Sequence, residues 1–172
     1  SRLAAARPRG VVVCAGGDRA LANAFASLHV LRRALNCSLP VAVMHWGEGE
    51  ARPGTRAFWR RNVPNIEFVD MSLLDYPRWH RGLRPAAAAA APDHWGYRLK
   101  AFALYAAPFR EVFMLDADAT PLRSPAPLFA LPVFKSAGNL FWPDFWVERP
   151  GIWDYLGGRA ADPWAAGAPP AW

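Results

Sequence analysis

Asp116, Ala117 and Asp118 set two carboxylates on either side of one small residue. The apolar run Val112-Phe113-Met114-Leu115 comes directly before them, and Thr120-Pro121-Leu122-Arg123-Ser124-Pro125 soon after. The first run reads as a strand and the second as a loop. The carboxylates therefore emerge where a buried strand reaches the surface, and in open α/β sheets ligands sit beyond the carboxyl ends of strands. Their hard oxygens suit Mg²⁺ or Mn²⁺. Such a cation can hold a diphosphate and stabilise the charge that develops as it leaves. The bare motif has little specificity, because nine Asp in 172 residues give a D-x-D by chance in roughly every second chain. A solvated acidic turn has the same local signature, so context must separate the two.

Other residues offer complementary chemistry. Lys100, one of two lysines, falls on a helix just before the motif strand, where it can meet a diphosphate as a point charge; a solvated helix lysine is the plain alternative. Gly16 and Gly17 follow an apolar strand, and without a β-carbon they admit close approach of a nucleotide to the backbone. Their loop is too short and too poor in Gly for a dinucleotide fingerprint, and it lacks the P-loop lysine, so a simple strand-to-helix turn also accounts for it. The stretch Phe141-Trp142-Pro143-Asp144-Phe145-Trp146 crowds aromatic rings around one carboxylate. Rings such as Trp142 stack on sugar C–H faces and Asp144 accepts hydroxyl hydrogen bonds; core packing with Asp144 capping a turn is the alternative. Trp153, Trp164 and Trp172 are too many to be all ligand contacts, and most read as packing residues. His45 and Trp46 close a strand at a place where they could touch a base.

The elements that must position these groups alternate. Gly10-Val11-Val12-Val13-Cys14 reads as a buried strand. Leu21, Phe25, Leu28, Leu31 and Leu35 recur at helical spacing, giving an amphipathic helix over 20–35. A second strand covers 41–46, a short helix 55–61, and a third strand 66–69. A helix over 97–107 carries Leu99, Phe102, Ala103 and Ala106 on one face, and the motif strand covers 111–115. A further strand is expected over 137–142. Residues 73–93, with Pro77, Pro85, Pro92 and the run Ala86 to Ala91, read as a low-complexity surface insertion, and 154–172 as an irregular tail. This β-α-β order implies an α/β fold, a mostly parallel sheet with helices on both faces.

Composition excludes other classes. At 53% hydrophobic residues general disorder is ruled out, and no apolar run approaches the roughly 20 residues that cross a bilayer. The net charge of +6 sets 18 Arg and 2 Lys against 14 Asp and Glu. They are scattered, with no dense basic tract or nucleic-acid motif, so no nucleic-acid partner is expected. Cys14 and Cys37 form no metal spacing; Cys14 reads as a small buried hydrophobe, and a disulfide between the two stays open. The chain begins with Ser1 and stops at Trp172, which leads us to expect a piece of a longer protein, incomplete at its carboxyl end.

Several segments in order then carry a family resemblance: Gly10-Val-Val-Val-Cys-Ala-Gly-Gly17, Asn23-Ala-Phe-Ala-Ser-Leu-His-Val-Leu-Arg32, Leu39-Pro-Val-Ala-Val-Met-His-Trp46, Arg61-Asn-Val-Pro64, Gly96-Tyr-Arg-Leu-Lys-Ala-Phe-Ala-Leu104, Pro108-Phe-Arg-Glu-Val-Phe-Met-Leu-Asp-Ala-Asp118 and Phe141-Trp-Pro-Asp144. The chain resembles the α-mannosyltransferase family typified by fungal Golgi α-1,3-mannosyltransferases, within the nucleotide-diphospho-sugar transferases. The resemblance implies a Rossmann-like GT-A fold in one nucleotide-sugar-binding domain over 1–172. It also implies retaining transfer of a hexose, mannose first, from GDP-mannose (or a UDP-hexose) to a glycan or glycoprotein acceptor. By the same resemblance Asp116 and Asp118 are the metal ligands. It also puts Lys100, Asp116, Trp142 and Asp144 at the donor site, to which the loop reading adds Gly16 and Gly17 as expected members; the catalytic group is unknown. The family's setting is the Golgi lumen, with membrane attachment through an anchor absent from this chain. A non-catalytic donor- or carbohydrate-binding fragment is the other reading.

Overall fold

A computed structural model describes residues 6–74 and 96–141. The elements alternate as β1 (Arg7–Cys14), α1 (Gly17–Arg33), β2 (Val41–His45), α2 (Pro53–Asn62), β3 (Ile66–Asp70), α3 (Gly96–Ala106), β4 (Phe109–Leu115) and α4 (Pro132–Ala137). Short 3₁₀ turns occupy Met71–Leu73 and Ala126–Ala130. All strand pairs are parallel, in the order β3-β2-β1-β4.

Parallel strands are covered on both faces, so their residues are apolar on both. Val11, Val12 and Val13 have no exposed surface, and all five residues of β2 are buried. Strand parity sorts side chains into two layers. Val11, Val13, Val41 and Val43 pack with Leu21, Leu28 and Leu31 of α1 and Trp59 of α2. Val12, Ala42 and Met44 pack with Leu99, Phe102 and Ala103 of α3. Helices thus cover both faces, as the alternation of elements requires.

Helix α1 starts three residues earlier than the apolar spacing indicates, because Gly16 is already the extended residue before its first turn. It ends at Arg33, and Leu35 packs on the same layer from just beyond the helix. Pro53, with its pre-set φ, opens α2. At the far end of α1, the Arg32 guanidinium donates to the carbonyls of Cys37 (2.5 Å), Leu39 (2.7 Å) and Pro64 (3.1 Å). These carbonyls belong to the connections leading into β2 and β3.

The strand expected over 137–142 is not formed in its described part. Ala137 is the last residue of α4, which Pro132 opens and Gly138 closes in the left-handed conformation at φ 73°. Phe134 turns inward from α4 onto the Phe129 ring, centroids 5.7 Å apart. Residues 139–141 are irregular, and Trp142 lies outside the described residues. The first compact unit ends at Gly138 and a second begins at Asn139. Most of the expected insertion over 73–93, and the tail over 154–172, also lie outside the described residues. Both cysteines are free thiols; Cys37 is buried, and Cys14, expected to be buried, is half-buried against the α3-side core. No helix among the described residues is long and apolar enough to cross a membrane.

Candidate functional site

The chain adds β2 and β3 on one side of β1, then returns to place β4 on the other. The crevice between the carboxyl ends of β1 and β4 is therefore the point where strand order reverses, the preferred ligand position in open parallel sheets. The last paired residues there are Val13 and Leu115. The next residues along the two strands are Cys14 and Asp116.

Parity decides where the motif points. Val112 and Met114 pack in the α3 layer, whereas Phe113, Leu115 and Ala117 pack in the α1–α2 layer. Asp116 continues the first set and faces α3. There Lys100 Nζ lies 2.5 Å from Asp116 Oδ1. Lys100 sits early in α3, and a helix leading into a parallel strand begins near the carboxyl edge of the sheet, so its first turns stand beside the strand end. Ala117 is held inward by the core, and the Ala119 N–H donates to the Asp116 carbonyl at 3.1 Å. This tight turn brings Asp118 to the surface beside Asp116, both side chains exposed. Thr120 Oγ1, just past the turn, lies 3.5 Å from Ser27 Oγ of α1.

Cys14 shares this neighbourhood. Burial pushes its thiol up to about 11, with Lys100 acting to lower it and Asp116 and Glu50 acting to raise it. Glu50 was not singled out from the sequence. It belongs to the Gly47-Glu48-Gly49-Glu50 loop after β2, and a Gly/Glu loop directly after a strand is the signal that could have marked it. Its carboxylate Oε2 accepts the Trp46 N–H at 2.7 Å, and its carbonyl accepts the Gly17 N–H at 2.9 Å. A β-carbon on Gly16 would collide with this carboxylate. The bare face of Gly16 is thus filled by Glu50, whereas Gly17, at φ 74°, has open space where a β-carbon would stand. Of the two glycines, Gly17 is the one with room beside it.

His45 is 1% exposed, so it does not face the surface as a base contact would. Its parity with Val41 and Val43 turns it under the α1–α2 layer, with ring centroids 6.1 Å from Phe68. Nδ1 donates to the Gly47 carbonyl at 2.9 Å, while Nε2 has no partner among the described residues. Beside it, Asp70 Oδ1 accepts the Gly47 N–H (2.8 Å), the Ser72 N–H (2.9 Å) and the Ser72 hydroxyl (2.7 Å). Burial works against the Asp70 charge, but these hydrogen bonds and nearby His45 outweigh it and hold the carboxyl below its ordinary range. Trp142 and Asp144 lie outside the described residues.

Among the described residues no three His, Cys, Asp or Glu side chains converge as a metal cage. Two exposed carboxylates still fit a cation completed by substrate and water, since Mg²⁺ is commonly held by one or two carboxylates plus phosphate oxygens.

The family model for mannosyltransferases Mannosyl_trans3 matches residues 8–157. The chain belongs to this mannosyltransferase family. Shorter matches link it to individual family relatives. Over 51 residues it is 45% identical to the α-1,2-mannosyltransferase MNN21 of Candida albicans, covering 30% of this chain and 8% of that protein. Over 69 residues it is 36% identical to MNN22 of the same yeast, covering 37% and 12%. Over 64 residues it is 39% identical to MNN2 of Saccharomyces cerevisiae, covering 36% and 11%. The matched stretches span about a tenth of these relatives. Their names specify an α-1,2 linkage, not the α-1,3 linkage of the fungal enzymes that typify the resemblance; the mannosyltransferase family is the same.

Proposed function

We propose that this chain is the donor-binding part of a glycosyltransferase of GT-A type, moving mannose from GDP-mannose to a glycan or glycoprotein acceptor with retention. What carries the reading is the position of Asp116-Ala117-Asp118 at the strand-order reversal between β1 and β4, in a chain of the mannosyltransferase family.

In this proposal Asp116 and Asp118 hold Mn²⁺ or Mg²⁺ against the donor's diphosphate, where the cation would neutralise the charge of the leaving group. Lys100 adds a positive charge on the α3 side. Gly17 leaves its side of the β1–α1 turn free for the nucleotide, and Glu50 keeps that turn in place. Trp142 and Asp144 remain candidates for the sugar-facing wall. The setting implied by the resemblance is the Golgi lumen.

Calorimetric titration of GDP-mannose in the presence of Mn²⁺ tests this reading. Binding is expected to need the cation and to be lost with a chelator or with Asp118→Ala. Binding indifferent to both would sink the metal role. A panel including UDP-hexoses separates the donor base. A second reading, a donor-binding segment without turnover of its own, is favoured by the small share of its relatives that the chain matches. Transfer of labelled mannose by this 172-residue chain would reject it.

A further inference from the structure

The carboxylate that the proposed cation needs is already engaged by a cation of the protein's own. Lys100 Nζ stands 2.5 Å from Asp116 Oδ1, with the two side chains 34% and 49% exposed. A pair this open to water is held weakly and can exchange partners at little cost. The lysine ammonium is a compact charge on a flexible four-carbon stem, able to swing between acceptors. Asp116 follows the last β4 residue paired with β1, and Cys14 at the end of β1 is the neighbouring strand's next residue, so the pair stands at the mouth of the crevice, near enough for both members to act on the Cys14 thiol.

We propose that Lys100 is a placeholder cation, neutralising Asp116 until a divalent cation arrives and then transferring to the donor's diphosphate. This rests on the reading of Asp116 and Asp118 as the cation-holding pair. A divalent cation binding alone must displace Lys100 and then tolerate its charge nearby, so it binds weakly. A nucleoside diphosphate sets a strongly anionic acceptor within reach of that ammonium, beside the cation. Cation and nucleotide therefore strengthen each other, and by linkage each does so by the same factor.

The test is titration of Mn²⁺ into the full 172-residue chain, with and without GDP, for the parent, Lys100→Met and Lys100→Arg. Without GDP, Lys100→Met is expected to bind Mn²⁺ roughly two- to fivefold tighter than the parent. The strengthening of Mn²⁺ binding by GDP is expected to shrink by a similar factor. Lys100→Arg, which keeps the charge, is expected to follow the parent in both conditions. Unchanged Mn²⁺ affinity in Lys100→Met would mean a merely solvated lysine and overturn the placeholder. Weaker Mn²⁺ binding in both conditions would mean a lysine that only holds Asp116 in place, and also overturn it. If the parent chain bound no Mn²⁺ even with GDP, the carboxylate-pair reading would fall and the placeholder with it.

Discussion

The carboxylate of Glu50 fills the space that a β-carbon on residue 16 would occupy. Two loops on adjacent strands are thereby locked to each other, and the lock makes different demands of the two neighbouring glycines. Gly16→Ala must push the Glu50 carboxylate off the Trp46 N–H, an expected cost of about 1–2 kcal/mol. Gly17→Ala meets no atom but must hold a left-handed backbone, at roughly 1–2 kcal/mol. Urea denaturation of each alanine variant, alone and combined with Glu50→Ala, checks the assignment. The Gly16 and Glu50 effects are expected to be non-additive, because they share one contact.

Asp118 separates binding from folding. Its side chain is exposed, so Asp118→Asn is expected to change stability by less than about 0.5 kcal/mol. If the proposed function holds, losing this charged oxygen is expected to weaken Mn²⁺-dependent donor binding by about 1.5–3 kcal/mol, roughly ten- to hundredfold. Parallel melting curves and calorimetric titrations read the two quantities.

Cys14 reports the electrostatics of the crevice. With its thiol raised from 9.0 to about 11, the thiolate fraction near neutrality is roughly a hundredfold below that of an unperturbed thiol. Iodoacetamide labelling is expected to slow accordingly. Lys100→Met should slow it further and Asp116→Asn should speed it. Between pH 9.0 and about 11 the unfolded chain has lost this proton while the folded chain keeps it, so Cys14 withdraws stability as pH rises through that window.

Asp70 acts at the acid end. Its folded carboxyl titrates below the ordinary 3.8, so its contribution is fully present above that value and is lost as pH falls through the lower, folded one. Asp70→Ala, which strands the Gly47 and Ser72 donors, is expected to cost about 1–3 kcal/mol at neutral pH. Its acid denaturation limb should also be flatter than the parent's. Urea midpoints measured across the acid range decide it.

The elements and the motif's place were legible where a local pattern determines the structure. Val112, Met114 and Asp116 share one side of a strand by alternation alone. An α3 that leads directly into that strand brings Lys100 to its end, a relation that follows from chain order. What could not be read depends on distances between loops. Glu50 lies 34 residues from Gly16 in sequence, and nothing local announces that their loops touch. His45 ends a strand at a place where it could touch a base, but its parity with Val41 and Val43 sends it inward beside Phe68. The strand expected over 137–142 begins instead inside the end of a helix, since Ala137 is the last residue of α4. Pro132 and Gly138, which open and close a helix, were the stronger signals nearby.

Arg32 joins the carbonyls of Cys37, Leu39 and Pro64 at the amino ends of β2 and β3, while Asp116, Lys100 and Glu50 gather at the carboxyl ends. Fastening and chemistry are thus separated by the length of the strands. Changes at sites this far apart add without coupling. On the proposed function, the loops of the crevice can change towards other sugars or other cations without loosening the frame, which Arg32 helps to fasten at the opposite edge together with the Arg7–Glu67 and Arg9–Glu111 pairs.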